Sequence, residues 1–341
     1  MEKKFLSAYL DLLRLTAAAA VALYHIKMLE LGPEAVRRFL PGFGHEFVVV
    51  FFVLSGYVIA WSVARKLVGV RDYALDRIAR IYSVVIPALL ISTVVSLAYK
   101  MGTPMDALNG LLVNLLFIGQ SWSIAAFPPS NPAFWSLCYE VMYYALFGCF
   151  IFLRGRQRLI ACTVVVLLAG PKVILLLPCW LAGVAAYHCK DGLGKAAPYV
   201  AVSAIVVLGL LSYLKFGKWV EAWIGPVDFG PSSHFAKDYV TAILIALHLY
   251  AVRQIAITMP SWLSTFAVKG AALTFTLYLI HYPIILVTRQ AFAVPTSLAA
   301  FVVCVLLIIA ATALVGTFTE SQRHVLREAL IPLLPKKTAR A

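Results

Sequence analysis

Three ionisable side chains interrupt the first apolar run of the sequence: Asp11, Arg14 and His25. An ionisable group inside a membrane span is costly, so each is a candidate for chemistry. Arg14 and His25 are 11 positions apart. At about 100° per residue that separation is about 1100°, within about 20° of three full turns, and at 1.5 Å rise it is roughly 16 Å along the axis. The two side chains share a face, with His25 in the outer half of the helix, and that placement motivates a catalytic assignment of His25 with Arg14 as its partner. Asp11, three residues before Arg14, can pair with it near the inner end. The plainer reading is an ion pair plus a histidine hydrogen-bonded between helices.

A second pair of arginines, Arg77 and Arg80, stands one helical turn apart in Asp76-Arg-Ile-Ala-Arg-Ile-Tyr82. Two guanidiniums on one face make a fork for a phosphate or diphosphate. They would equally anchor the chain to anionic lipid headgroups, and Asp76 could neutralise one of them. Trp135-Ser136-Leu-Cys-Tyr-Glu140 sets a carboxylate one to two turns into another apolar segment, where a partner such as His25 or an arginine is expected. In Phe51-Phe-Val-Leu-Ser55-Gly56-Tyr57 the Ser-Gly pair reads as close helix packing. His281 stands two residues before Pro283, where it is placed to cap carbonyls freed at the proline.

The elements that position these residues are membrane helices. The chain has 341 residues, 62% hydrophobic and 13% charged, with a mean hydropathy of +0.90. That composition excludes a soluble single-core globule and a disordered chain. Six cysteines lie in or beside apolar runs with no C-x-x-C pair, which favours buried apolar side chains over metal ligands or disulfides. Ten segments near 9–28, 46–64, 79–99, 133–153, 158–171, 173–189, 197–214, 237–252, 271–289 and 297–318 are expected to span. The fifth and sixth divide at Gly170-Pro171. The first lacks a small-residue cleavage site and reads as a retained helix. The stretch 109–120, only 12 residues long, reads as re-entrant or interfacial on the outer side, since a span there would put Arg154, Arg156 and Arg158 outside. With both termini cytoplasmic, 19 basic residues face the cytoplasm and 9 the other side, with Arg14 inside a helix. This split accounts for the net charge of +14 without nucleic acid. Residues 1–320 form one helical domain and 321–341 a short basic tail.

In this order the motifs resemble those of the integral-membrane acyltransferase family 3, whose members acylate sugars and other acceptors at the bacterial envelope. The resemblance rests on Leu10-Asp-Leu-Leu-Arg14, the Arg14-x10-His25 spacing, Phe-Phe-Val-Leu-Ser-Gly-Tyr, Arg77-x-x-Arg80-Ile-Tyr82, Trp135-Ser-Leu with Glu140, and Thr276-Leu-Tyr-Leu-Ile-His281-Tyr-Pro. It implies that Arg14 and His25 are the family's essential first-helix pair, and that Arg77 and Arg80, with Tyr82 beside them, contact an acyl-CoA donor, acetyl-CoA in the expected case. His25 would be a general base on an acceptor hydroxyl or a transient acyl carrier. Glu140 would orient the imidazole or hold the acceptor, and Trp135, Ser136 and His281 would contact the substrate. No metal is expected. The acceptor expected is an envelope glycan or lipid-linked sugar at a bacterial inner membrane. Members often carry Glu-x-Pro near the last helix, whereas Glu320-Ser-Gln322 lacks the proline and leaves Glu320 without an assigned role. Many relatives also carry a fused esterase-like domain. This chain, with about 23 residues after its last span, is expected to act alone or hand its acyl group directly to the acceptor. The competing class is a transporter or flippase, which would ordinarily show paired halves with corresponding Gly/Pro-broken helices; no such symmetry is visible. A glycosyltransferase would need metal-binding carboxylates, and the loops are acid-poor.

Overall fold

A computed structural model describes residues 2–66, 69–190, 192–225 and 227–333. The tail residues Lys336, Lys337 and Arg340 lie outside them. The chain opens with α1 (Glu2–Met28), makes one turn of helix as α2 (Glu34–Arg37) and returns as α3 (Gly44–Lys66). Next come α4 (Val70–Ala98), α5 (Pro104–Leu115), α6 (Trp135–Phe152), α7 (Gly155–Leu175) and α8 (Leu177–His188). The second half holds α9 (Ala197–Tyr213), α10 (Phe216–Ile224), α11 (Phe235–Val252), α12 (Ser261–Ala271), α13 (Thr274–Ala291), α14 (Leu298–Phe318) and α15 (Arg323–Leu330).

Among the described residues, eight helices are long and apolar enough to cross a bilayer, and α12 with α13, bent by 61° at their junction, make up to nine. The protein is a polytopic all-α membrane protein. The difference from the ten expected segments lies at Gly170-Pro171. Gly170 breaks the helix with φ 76°, yet α7 resumes and runs to Leu175, which leaves α8 only 12 residues. Glycine is required at the break twice over: the conformation is left-handed, and a Cβ would lie 2.6 Å from the Trp122 nitrogen. Although short, α8 belongs to the core and buries Cys179, Trp180, Gly183 and Ala186. A Cβ on Gly56 would collide with the Trp180 carbonyl, and one on Gly183 with that of Val53. Paired glycines thus let the α3 and α8 backbones touch, the usual use of small residues between membrane helices. Cys138, Cys179 and Cys304 are buried as expected, while Cys189 is exposed.

The first turns of α1 and the helix α15 lie at one end of the bundle, where Asp11 and Arg14 meet Glu320 and Arg323. Arg327 of α15 binds Asp76 at 2.6 Å and Asp72 at 3.3 Å, and Arg71 donates to the Ile331 carbonyl, so residues 320–331 dock on the first turns of α4. At the opposite end Gly32 N–H donates to the Pro295 carbonyl, joining the exit of α1 to the approach to α14.

Residues 104–131 re-enter and do not span. α5 opens with a capping box in which the Thr103 hydroxyl accepts from Asp106 N–H and the Asp106 carboxylate accepts from Thr103 N–H. The helix runs back along α4 until Tyr82 donates to the Leu115 carbonyl. The returning chain has irregular backbone at depth, which polar side chains satisfy. Asn114 Nδ2 donates to the Gly110 and Ala126 carbonyls, and Ser130 Oγ donates to Ser92 O. Irregular backbone inside a membrane protein is tolerated only where protein supplies such partners.

Candidate active site

The core of the bundle places the costly side chains around a small cavity of about 70 Å³. Arg14 comes from α1, Arg77 and Arg80 from α4, Glu140 and Tyr144 from α6, and Ser55 from α3. Its remaining wall is largely apolar, with Phe52, Val58 and Ile59 of α3 and Phe275 of α13. Three guanidiniums therefore face one carboxylate, an imbalance that suits a multiply charged anion. Arg77 Nε is buried without a hydrogen-bond partner, and its guanidinium carbon lies 5.8 Å from the Tyr144 ring centroid. A second cavity, of about 250 Å³, is lined by Asp11, Glu320 and Arg323 and again by Arg14 and Arg80. The two cavities abut at those shared arginines. The path leads toward the end of the bundle that carries the first turns of α1 and α15.

Hydrogen bonds order the carboxylate side of the cavity. Trp180 Nε1 donates to Ser55 Oγ at 3.2 Å, Ser55 and Tyr144 hydroxyls are 2.9 Å apart, and Tyr144 donates to Glu140 Oε1. Indole N–H is donor-only, so the three protons point in one direction, toward Glu140. The partner expected for Glu140 is thus Tyr144, one turn along the same helix, with the arginines across the cavity and not His25. Ser55, read from the sequence as a packing residue, is also a cavity residue. Asp11 approaches Arg14 to 4.0 Å, the expected pair at its outer limit. Among the described residues the ion-pair partner of Asp76 is Arg327, and Asp76 acts on Arg77 only as a nearby charge without direct contact.

His25 lies farther along α1, away from this cavity. Its Nδ1 is 2.9 Å from Nε2 of His281, and the rings of Tyr24 and Tyr282 pack on it at centroid distances of 5.1 and 5.0 Å. His281 has no exposed surface, and its Nδ1 is 3.1 Å from the Leu277 carbonyl. The expectation that His281 caps carbonyls freed by Pro283 needs correction. Proline at 283 removes the partner of the carbonyl four residues earlier, Leu279. That oxygen is met by Asn131 Nδ2 at 2.7 Å, from the re-entrant segment. Tyr278 connects the two regions: its ring lines the cavity and its centroid is 6.1 Å from that of His281.

The other expected residues fall in different places. Ser136 lines the cavity and its hydroxyl is 2.6 Å from that of Tyr278. Trp135 stacks on His45 at 5.6 Å, and His45 Nε2 is 2.9 Å from the wholly buried Asp238. Tyr82 packs on Phe117 and donates to the re-entrant backbone, outside the arginine cavity. Glu320 gains a position that its motif did not assign: Oε2 accepts from Thr276 N–H at 3.0 Å and Thr276 Oγ1 at 2.9 Å, capping the start of α13 at the mouth of the second cavity. Tyr144, Asn131, His45 and Asp238 were missed by sequence reasoning. Only Asp238 carried a signal, as an acid within an expected span.

No curated protein and no solved structure matches the chain. The family model described as an acyltransferase domain matches residues 7–316, from before Asp11 to the end of the last long helix. That match takes in every side chain of the arginine cavity and both histidines, and the chain belongs to the acyltransferase 3 family of membrane-bound acyltransferases.

Proposed function

We propose that the protein moves an acetyl group from acetyl-CoA, drawn from the cytoplasmic side of a bacterial plasma membrane, to a hydroxyl of an envelope glycan or lipid-linked sugar. The observation that carries this reading is the convergence of Arg14, Arg77 and Arg80 on one cavity that abuts the mouth lined by Arg323. CoA offers phosphates at one end and a thioester on a slender arm at the other. Arg77 and Arg80 hold the phosphates through charge-assisted bonds. The apolar wall of α3 accommodates the arm. Polar Ser136 and Tyr278 at the wall, in place of a long apolar tunnel, support a short acyl group. The Ser55–Tyr144–Glu140 chain fixes a carboxylate beside the arm, where it can accept from an amide N–H or an acceptor hydroxyl.

His25 is the general base. The acceptor oxygen attacks the thioester carbonyl carbon as its proton passes to His25. The C–S bond then breaks, and the CoA thiolate leaves with that proton. The Tyr278 ring turns aside for the thioester to meet His25, which breaks its bond to Ser136. The cytoplasmic placement of the arginines is supported by the 19-to-9 split of basic residues.

Membranes containing the protein, supplied with acetyl-labelled acetyl-CoA, should transfer the label to saccharide. His25→Ala should lose about 10²–10⁴-fold in rate while still binding CoA, because a general base acts on the transition state. Label found in no acceptor, with CoA binding intact, would contradict the reading.

A further inference from the structure

The bond between the two histidines has a direction, and the direction decides which nitrogen of His25 is basic. His281 Nδ1 lies 3.1 Å from the Leu277 carbonyl oxygen, which can only accept. Nδ1 therefore carries the proton. The ring has no exposed surface and, among the described residues, makes no contact with a carboxylate, so it is neutral and bears one proton only. Its Nε2 is a lone pair. His25 Nδ1, 2.9 Å from that lone pair, must then be the donor. A neutral His25 with its proton on Nδ1 has Nε2 unprotonated.

We infer that His281 is a positioning residue, which holds His25 in the tautomer whose Nε2 accepts the proton of the acceptor hydroxyl. The inference rests on the reading of His25 as base and adds a reason why the base is poised. Which ring nitrogen is protonated is set by the bond the other nitrogen makes. Here that bond comes from a second helix, α13, and the carbonyl of Leu277 in turn fixes the second ring. The edge contacts of Tyr24 and Tyr282 hold the plane of the His25 ring. The Val21 carbonyl, one turn back on α1, also approaches that ring, but among the described residues it makes no well-aligned hydrogen bond to it, so the lone pair of His281 is the aligned acceptor for Nδ1. The Ser136, Tyr278 and Glu140 side chains bond one another or their neighbours and leave the His25–His281 pair to itself. Without the lone pair of His281, Nδ1–H is left to the poorly aligned Val21 carbonyl, and the proton is released to sit on Nε2, where that ring cannot act as base toward the acceptor.

The test compares His281→Gln, whose amide oxygen can still accept from His25 Nδ1, with His281→Leu, which cannot. Both are assayed for transfer and for CoA binding and melting temperature, and the His25 tautomer is read by ¹⁵N solid-state NMR on histidine-labelled protein. The expected result is that Gln stays within about tenfold of wild type, while Leu loses about 100-fold or more in kcat with donor KM unchanged. The ¹⁵N spectrum of the wild type should show His25 Nε2 unprotonated. Equal activity of the two variants, or a proton on His25 Nε2 in the wild type, would overturn the inference even if His25→Ala is inactive. An active His25→Ala would instead remove the reading of His25 as base. If both His281 variants melt early, the wild-type tautomer still decides.

Discussion

The residues that bear most directly on function are those a membrane tolerates least. Arg14, Arg77, Arg80 and Glu140 were visible in the sequence because an ion in an apolar run demands a reason. The structure gathers all four around one cavity. If Arg77 and Arg80 bind the CoA phosphates, each lost charge-assisted contact costs about 1.5–3 kcal/mol. Replacing either with Gln should raise donor KM roughly 10- to 150-fold and leave acceptor KM nearly unchanged. Lysine should recover only part, since it lacks the fork. Steady-state kinetics on reconstituted protein checks this, and an unchanged donor KM would return the pair to a lipid-anchoring role. Tyr144, Ser55 and Asn131 were less legible. Small or amphipathic polar side chains occur throughout membrane helices with their bonds closed locally. The Tyr144–Glu140 bond is such an i, i+4 contact, and only tertiary placement shows that Ser55 meets Tyr144 or that Asn131 meets the carbonyl freed by Pro283. His281 was visible but misread, because a histidine near a proline looks local while its partner is 256 residues away.

At the scale of elements, hydropathy located the membrane helices but not how each is used. α7, α9 and α14 bury little of their surface within the protein, whereas α3 buries most of its span, and all four read alike as apolar runs. The shortness of α8 was hidden for the same reason. Composition does not distinguish a lipid-crossing helix from one whose ends are covered by neighbours. α12 was missed because Lys269 and Gly270 break the pattern just before the stronger signal of α13. In the structure, Gly270 meets Leu15 of α1, the residue after Arg14, and thereby sets α12 beside the second cavity. The contact of α3 with α8 carries a prediction of its own. Gly183→Ala puts a methyl into the Val53 carbonyl and should destabilise the protein by about 1–3 kcal/mol, as overpacking does. A lowered melting temperature in detergent would register it. Gly209, with nothing near its missing side chain, should tolerate the same change.

For the whole molecule, the account is one of sidedness. The first turns of α1, the docked α15 and the mouth at Glu320 and Arg323 share one end of the bundle. The re-entrant segment, Trp135 and the His45–Asp238 pair belong to elements that close the other part of the bundle. A donor admitted at the basic end and an acceptor approaching from the opposite end would meet between Arg14 and His25, roughly 16 Å apart along α1. Sealed vesicles of known orientation test that claim most directly, because acetyl-CoA does not cross a bilayer. With labelled acetyl-CoA outside, inverted vesicles, which expose the cytoplasmic face, should transfer label to saccharide, and sealed right-side-out vesicles should do so only after permeabilisation. Equal transfer by sealed right-side-out vesicles would contradict a cytoplasmic donor site at Arg77 and Arg80.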